Sequence, residues 1–466
     1  MNIRSTARPL VALAGATLIA SLAVSIATVT LPVLSREFAA PIASVQWVML
    51  AYLVSTTVTI VLAGHLGDQL GNKRVLVIGT AAFAIASVIC AAAPTLGVLI
   101  AGRAMQGLGG AVLLSLPLSV VRQTTSMDRT GSALGLLGTM SAIGTALGPS
   151  VGGIVISEFG WRAAFGGLAV FSLVVLGLSV QFIPEMDVRK RDGGVRADWL
   201  GAGLLAITLT LYALATTGSH AVPNWISVSL LPSTALAFVA FMIAELHADA
   251  PFVPFSILRN KPIVTALSAN LLVSTTMMST LVVGPFFLSF ALGLSDVSVG
   301  LVMAIGPVTA ALTGVLAGRA TDRFGTQRVI ALGLIEIVLG LACLAILPRL
   351  LGVIGYIVAL MVLTPGFQFF IAANSTRVLL PTTADQRGLL SGLLGLSRNL
   401  GFMTGASVMT ALFSAAVGSD EITKSSPNVI GSAFTTTFLA AAAATLLAAT
   451  LMLVGKARRI KFEDGV

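Results

Sequence analysis

A few charged and amide side chains lie inside long apolar stretches of this 466-residue chain, and they are the groups best placed to do chemistry. Arg103 lies several residues inside one stretch, and Gln106 follows almost one helical turn later, so the two could share a face. A charge at this depth in a membrane is costly and normally faces an interior cavity or a partner. Both residues are therefore candidate cavity residues, with an arginine that extends to the membrane surface as the alternative.

Carboxylates are scarce in the same stretches. Of 18 acidic residues, seventeen fall in predicted loops, tails or near the ends of apolar stretches, and only Glu336 lies clearly within one. A carboxylate inside a membrane can take part in a proton relay, which makes Glu336 a candidate for proton coupling. A structural glutamate that pairs with a polar neighbour or reaches the surface fits the sequence equally well.

Aromatic and amide residues supply further candidates for a cavity that binds apolar or aromatic solutes. Phe286 and Phe290 are the aromatic candidates, although most aromatic residues at such spacing face lipid or the protein core. Hydrogen bonds between packed helices explain the amides equally well. The amide candidates are Asn270, Gln368 and Asn374, and the other polar residues in apolar stretches are Arg398 and Asn399.

The composition predicts an all-α integral membrane protein. Hydrophobic residues make up 56% of the chain and charged residues 10%, whereas a soluble domain carries about 25% charged residues. A helix pairs its own backbone groups in hydrocarbon and needs roughly 20 apolar residues to cross it. The long continuous stretches exclude a β-barrel, which would show short alternating strands.

Several classes of function are excluded. The formal charge of +9 comes from basic residues scattered among short loops, so nucleic acid is not an expected partner. Both cysteines, Cys90 and Cys343, lie in apolar stretches, and no disulfide framework or metal site is expected. No His/Cys/Asp cluster or nucleotide-binding loop occurs, which argues against an enzyme and against an ATP-driven pump.

Fourteen apolar stretches are long enough to cross a membrane. The first is too long for a signal peptide, which predicts an uncleaved span. With a cytoplasmic N-terminus, 21 Lys and Arg residues fall on cytoplasmic segments and 4 on outer loops, and the positive-inside rule therefore predicts that both termini are cytoplasmic. The predicted spans lie near 9–34, 46–66, 75–93, 97–121, 131–157, 162–183, 198–219, 225–246, 263–291, 298–318, 328–348, 352–377, 388–416 and 431–455.

One short motif occurs twice and indicates an internal repeat. A glycine, an aspartate, a second glycine and basic residues join spans 2 and 3 and, 254 positions later, spans 10 and 11. A second pair of segments, from Asp128 to Gly148 and from Asp385 to Gly405, is offset by 257 positions. The motif residues are Gly64, Asp68, Gly71, Lys73 and Arg74 in the first copy and Gly318, Asp322, Arg323, Gly325 and Arg328 in the second.

The repeat predicts three parts: a six-helix bundle at 1–184, a charged linker with two inserted spans at 185–261, and a second six-helix bundle with a short cytoplasmic tail at 262–466. Repeated halves around a site near the membrane midplane are the architecture of many secondary transporters.

The first copy of the motif is interpreted as a conformational latch. Gly64 is expected to let two helices approach closely, and Gly71 to permit a tight turn. Asp68 can meet a helix N-terminus or a basic neighbour. The alternative is a short polar loop that follows the positive-inside rule.

Span 5 carries a surface of glycines. Gly144, Gly148 and Gly152 are spaced by four residues and share a face with Gly153, which predicts tight helix packing. Pro149 removes a backbone hydrogen bond and can bend the helix. Generic glycine-rich packing is the alternative.

Together these motifs resemble those of the major facilitator superfamily over the whole chain. The Gly64 segment resembles its signature loop, and the Gly318 segment a degenerate copy. Arg103 and Gln106 lie in a segment that resembles its Arg-x-x-Gln-Gly motif, and Gly144 opens a segment that resembles its antiporter motif. The resemblance implies a major facilitator fold, with fourteen transmembrane helices arranged as two six-helix bundles plus two extra helices between them.

Two segments, 46–53 and 198–201, are similar to the fourteen-span drug/proton antiporter branch. The chain departs from that branch in span 1, where Ala23 occupies the position at which the branch usually carries an aspartate. It also departs in the signature loop, where Gln69 and Asn72 replace common basic residues, which predicts a weaker inner latch.

The resemblance implies a secondary active transporter that exports amphipathic or lipophilic small molecules (multidrug efflux) by proton antiport and alternating access, as two bundles rock around a central cavity. In the family, the arginine that matches Arg103 is linked to proton transfer and cavity polarity. Alternatives are a dedicated exporter of one endogenous metabolite, peptide or siderophore-like compound and, ranked lower, a membrane sensor. The expected setting is a bacterial-type inner membrane, where the chain functions as a monomer in the lipid bilayer with a proton gradient and no cofactor.

Overall fold

Helices account for nearly all of the chain that the computed structural model describes, and those residues contain no strand. Residues 186–198 and 249–258 of the predicted linker, and the side chain of Asp68, lie outside the described part of the chain. The structure describes residues 3–124, 127–185, 199–217, 224–248, 259–379, 384–418 and 422–463.

The first of two compact units comprises Met1–Phe252 and Ser295–Ala304. In this unit α1 packs against α6 and α7, α5 packs between α3 and α4, and the pair of α8 and α9 reaches α3 through α8. Its helices are α1 (Ile3–Glu37), α2 (Ile42–Val45), α3 (Trp47–Leu70), α4 (Asn72–Ala91), α5 (Leu96–Thr124), α6 (Met127–Phe159), α7 (Trp161–Phe182), α8 (Trp199–Thr217) and α9 (Asn224–His247).

The second unit comprises Val253–Leu294 and Ile305–Val466. Here α10 packs against α13 and α15, and α12 packs against α15. The helices are α10 (Lys261–Phe286), α11 (Asp296–Phe324, whose first residues belong to the first unit), α12 (Thr326–Leu379), α13 (Ala384–Thr404), α14 (Thr410–Val417) and α15 (Pro427–Glu463), with π-helical segments at Phe287–Ala291 and Gly405–Met409 and a short 3-10 turn at Ile422–Lys424.

Twelve helices within the described residues are long and apolar enough to cross a membrane. One of them, α12, has 54 residues and is broken at Gly352, where φ is 57° and ψ is −133°. The apolar part of α8, Leu200–Ala215, is shorter than the twelve. The structure thus shows a multi-pass membrane protein of all-helical fold, and the count of fourteen spans stays a prediction.

The two copies of the loop motif adopt the same turn. Gly71 separates α3 from α4 with a φ of 92°, and Gly325 separates α11 from α12 with a φ of 81°. A side chain rarely tolerates this backbone region, which explains the glycine in each copy.

The internal repeat also appears as two matching helix seams. In the first unit, a Cβ atom on Gly144 of α6 would lie 2.6 Å from the carbonyl oxygen of Leu18 and 2.9 Å from Cβ of Ser21 on α1. In the second unit, Gly401 of α13 meets the corresponding atoms of Leu271 and Ser274 on α10. The glycines are 257 positions apart and their partners 253, so each unit builds the same close contact of two backbones.

Candidate functional site

Arg103 anchors a buried polar network in the first unit. It lies seven residues after Leu96, the first residue of α5, which corresponds to a depth of about 10 Å along the helix. Its side chain is fully buried. Arg103 Nε donates to the carbonyl oxygen of Val48 on α3 at 2.8 Å, and Nη1 donates to Oε1 of Gln106.

Gln106 extends the network to α4. Its Nε2 donates to Ser87 Oγ at 2.7 Å, and that hydroxyl donates to the carbonyl oxygen of Phe83 at 2.7 Å. Because Ser87 holds the amide nitrogen, the amide oxygen of Gln106 faces Arg103. The structure therefore brings the two candidates together and connects α3, α4 and α5.

Tyr52 is a member of this site that the sequence did not single out. The Cζ atom of Arg103 lies 4.4 Å from the centroid of the Tyr52 ring and 6.0 Å from that of Phe165, so two aromatic rings contact the cation. Gly107 of α5 makes room for α3 at this point, because a Cβ atom there would lie 2.6 Å from the Tyr52 carbonyl oxygen. Tyr52 could have been noticed in the sequence as a lone tyrosine in an apolar span. Its contact with Arg103 could not, because the two residues are far apart in the sequence.

The charge of Arg103 has no acidic partner among the described side chains. Every acceptor around it is neutral, and its Nη2 atom is buried with no hydrogen-bond partner in the described residues. The ion pairs that the structure describes are Arg36–Asp296 at 2.7 Å and Arg162–Glu37 at 3.3 Å, both at helix ends. Burial of a charge is energetically costly without compensating interactions. The hydrogen bonds of this network and the two aromatic faces offset part of that cost.

Two of the predicted amide candidates hydrogen-bond to neighbouring helices in the second unit. Asn270 Nδ2 donates to the Leu394 carbonyl oxygen at 3.0 Å and lies 3.3 Å from Ser397 Oγ. Asn374 Nδ2 donates to the Ala266 carbonyl oxygen at 3.2 Å. These bonds join α10 to α13 and α12, which supports the packing interpretation of both residues. Gln368, the third candidate, is half-buried on α12.

The aromatic candidates lie at the end of α10. Phe286 is fully buried and stacks on the half-buried Phe290, with ring centroids 6.3 Å apart. A larger cluster that the sequence did not predict begins one residue later. The ring of Phe287 lies 4.0 Å from that of Phe434 and 6.4 Å from that of Tyr356, so it packs the π-helical segment that follows α10 onto α15 and α12.

Glu336 lies half-exposed on α12, ten residues after Thr326. Its neighbours Gly333 and Ile337 are buried against the later part of the same helix near Gly366. No basic nitrogen of a described residue lies within 4.0 Å of its carboxylate. Arg103 belongs to the first unit and Glu336 to the second.

The predicted role of Gly64 in close packing is wrong. A Cβ atom on Gly64 would meet nothing within 4 Å, and the same holds for Gly318. The close contact lies one turn along α3 at Gly67, where a Cβ atom would be 2.8 Å from Cδ2 of Leu116 on α5. Among the basic and acidic residues of the two loops, Arg74, Asp322, Arg323 and Arg328 are exposed and Lys73 is half-buried, so the latch stays a prediction.

The glycine surface of α6 contacts two helices. Gly144, Gly148 and Gly152 face α1, where a Cβ atom on Gly148 would lie 2.5 Å from Cβ of Ser25. Gly153 faces the first turns of α11, where its Cβ atom would be 2.7 Å from the Asp296 carbonyl oxygen. The backbone of Pro149 contacts Gly300 at the same crossing.

An ion pair fastens the start of α11 to the first unit beside this crossing. Arg36 Nη2, at the end of α1, lies 2.7 Å from Asp296 Oδ1. Nearby, Arg162 pairs with Glu37 and donates to the Ala93 carbonyl oxygen at 3.2 Å. No group of three or more His, Cys, Asp or Glu residues that could hold a metal ion occurs in the described part of the chain.

Comparison with known proteins identifies a family for this chain. Residues 13–406 match the model of the Major Facilitator Superfamily. The riboflavin transporter RibZ of Clostridioides difficile (strain 630) is 24% identical over 389 residues, 84% of this chain and 84% of RibZ. The multidrug efflux pump LfrA of Mycolicibacterium smegmatis is 26% identical over 449 residues, 94% of this chain and 87% of LfrA.

Among solved structures, a peptide transporter in complex with sulfate superposes with a TM-score of 0.71, covering 96% of this chain and 94% of that one. The two sequences are 14% identical, so the likeness concerns the fold alone.

Proposed function

The chain belongs to the Major Facilitator Superfamily, and from that premise we propose that it is a secondary active exporter of amphipathic or lipophilic small molecules. The observation that carries export is the glycine surface of α6. Gly148 and Gly152 close against α1, and Gly153 closes against the start of α11. Glycines give such a seam direct backbone contact, which excludes solutes and water at one end of the helices.

Proton antiport through alternating access is the proposed energy coupling. Ala23, fully buried on α1, occupies the position where the related branch carries an acid, so the proton must use another group. Glu336 is the proposed carrier because it is the acid furthest inside a described span. No cofactor is part of this proposal.

Two relatives suggest different substrate ranges. LfrA is a multidrug efflux pump and RibZ a riboflavin transporter, and their identities to this chain are 26% and 24%. Multidrug export is the leading proposal because charged groups deep in the described spans are few and an apolar interior discriminates poorly between lipophilic solutes. A dedicated exporter of one metabolite, peptide or siderophore-like compound is the alternative.

A transport panel tests this proposal. Everted membrane vesicles, energised by respiration, would be offered several unrelated fluorescent compounds and riboflavin, with vesicles from cells lacking the gene as the control. Accumulation of several compounds supports multidrug export. Accumulation of one compound supports the dedicated exporter, and accumulation of none contradicts export.

The fourteen-span topology of the drug/proton antiporter branch, with cytoplasmic termini in a bacterial inner membrane, is also proposed. Two features support it: the break at Gly352 divides α12 into two lengths that could each cross a bilayer, and α8 pairs with α9. We propose further that the protein functions as a monomer, since each unit buries its own polar network.

A further inference from the structure

The charges deep inside the described spans are unbalanced. Only Arg103, Arg398 and Glu336 lie at least six residues from the end of a candidate span and from the break at Gly352. None of the three makes an ion pair with a described residue. The interior of these spans therefore carries two arginines against one carboxylate.

Arg103 is already occupied by neutral groups of the first unit. Its guanidinium is fully buried and is held by neutral acceptors, so no protein carboxylate cancels its charge.

Arg398 is differently placed. It lies on α13 one helical turn from Leu394 and Gly401, which are buried against α10, while its own side chain is exposed. Its guanidinium makes no hydrogen bond or ion pair with a described residue. By the internal repeat it corresponds to Ser141, whose hydroxyl lies 2.8 Å from that of Ser21 on α1. Arg398 therefore lies on the side of α13 that faces α10.

An arginine in the middle of a span, without a protein acceptor, normally faces a water-filled cavity. Five N–H groups in a planar fork then remain to bind an oxyanion such as a carboxylate, sulfonate or phosphate. Glu336 makes no ion pair with Arg398 in the described part of the chain.

We infer that the transported compounds are lipophilic anions and that Arg398 receives their negative charge. This inference rests on the proposed export and narrows its substrate class. It sets this chain apart from an exporter of lipophilic cations, whose positive charge a carboxylate would receive.

Three probes test the inference in energised everted vesicles: naphthalene-2-sulfonate and (2-naphthyl)trimethylammonium, which share one ring system and carry opposite charges, and uncharged riboflavin. The expected result is accumulation of the sulfonate with a half-saturating concentration at least about 10-fold lower than that of the ammonium probe. Arg398→Gln should remove this preference, and Arg398→Lys should keep most of it because the charge remains. Arg349→Gln, at an exposed arginine near the break in α12, is the control and should leave uptake unchanged.

Equal or better accumulation of the ammonium probe would overturn the inference. So would an undiminished preference in Arg398→Gln protein that purifies as a monodisperse species. If riboflavin alone accumulates, export stands and the anion inference fails. If none of the three accumulates, the proposed export fails with it.

Discussion

Burial of the Arg103 charge is energetically costly, yet the side chain is held in one defined position. Its charge lies about 10 Å inside α5, where an uncompensated cation costs several kcal/mol. The fold offsets part of this with two directed hydrogen bonds, to Val48 and Gln106, and with the face of Tyr52. The planar guanidinium suits this arrangement because Nε and Nη1 point to different acceptors.

Arg103→Lys is therefore not a conservative change. A lysine ammonium on its unbranched stem cannot bond both acceptors in this geometry, so a charged group would remain in a half-satisfied site. We expect a loss of about 2–3 kcal/mol of stability and at least about a 10-fold loss of transport. Thermal melting in detergent and vesicle uptake measure the two effects, with Arg349→Lys as the control. Wild-type melting and uptake in the lysine variant would contradict the role of the network.

The sequence predicted the deep arginine and its glutamine because both stand out in an apolar span. It could not predict Tyr52 or Ser87, because the contacts depend on how α3, α4 and α5 pack. The Arg36–Asp296 pair joins residues 260 positions apart and is likewise a product of the tertiary fold. Gly64 was misjudged for a related reason: glycine spacing shows where helices can approach, and packing decides which glycine is used.

At the level of helices, the internal repeat appears as matching helix–helix contacts in the two units. The α1–α6 and α10–α13 seams place glycines against the same backbone atoms in each unit, so equal substitutions should have equal effects. Gly144→Ala and Gly401→Ala are each expected to destabilise the protein by about 1–3 kcal/mol, because the added methyl must push two backbones apart.

Each seam has a control on its own helix. Gly138 on α6 and Gly395 on α13 have no atom within 4 Å of an added Cβ, so alanine at either should be neutral or slightly stabilising. Melting curves of the four variants test the repeat. A seam variant as stable as its control would show that the close contact is absent there.

The start of α11 permits a second comparison on one helix. Gly300 contacts the backbone of Pro149, whereas an added Cβ at Gly314 would lie 3.7 Å from the nearest atom, Oε1 of Gln368. Gly300→Ala should lower the melting temperature by several degrees and reduce uptake in vesicles, and Gly314→Ala should change neither appreciably. Equal behaviour of the two variants would argue against tight closure at Gly153 and Gly300.

At the scale of the whole molecule, apolar length predicted the all-helical membrane fold, because an apolar helix satisfies its own backbone groups in hydrocarbon. The orientation and the fourteen spans predicted from apolar length and charge bias stay predictions. These two sequence features could not resolve the inserted region, where only α8 and α9 are described and α8 is short. The number of crossings therefore needs a direct experiment.

Topology reporters give that experiment. If the chain crosses fourteen times from a cytoplasmic N-terminus, a fusion at the C-terminus should report cytoplasm, because an even number of spans separates the termini. Fusions at Gly352, where predicted spans 11 and 12 meet, and at His220, between predicted spans 7 and 8, should report the outside. Alkaline phosphatase and green fluorescent protein fusions distinguish the two sides. A cytoplasmic report at His220 would mean that α8 and α9 do not cross the membrane as a pair.

The central claim, proton-driven export, is tested most directly with purified protein in liposomes. A pH gradient with an acidic lumen should drive a compound selected by the vesicle panel into the liposomes, a proton-exchanging ionophore should abolish this uptake, and Glu336→Gln should weaken it. Uptake that is the same with and without the gradient would contradict proton coupling, and undiminished gradient-driven uptake in Glu336→Gln would remove Glu336 from the mechanism.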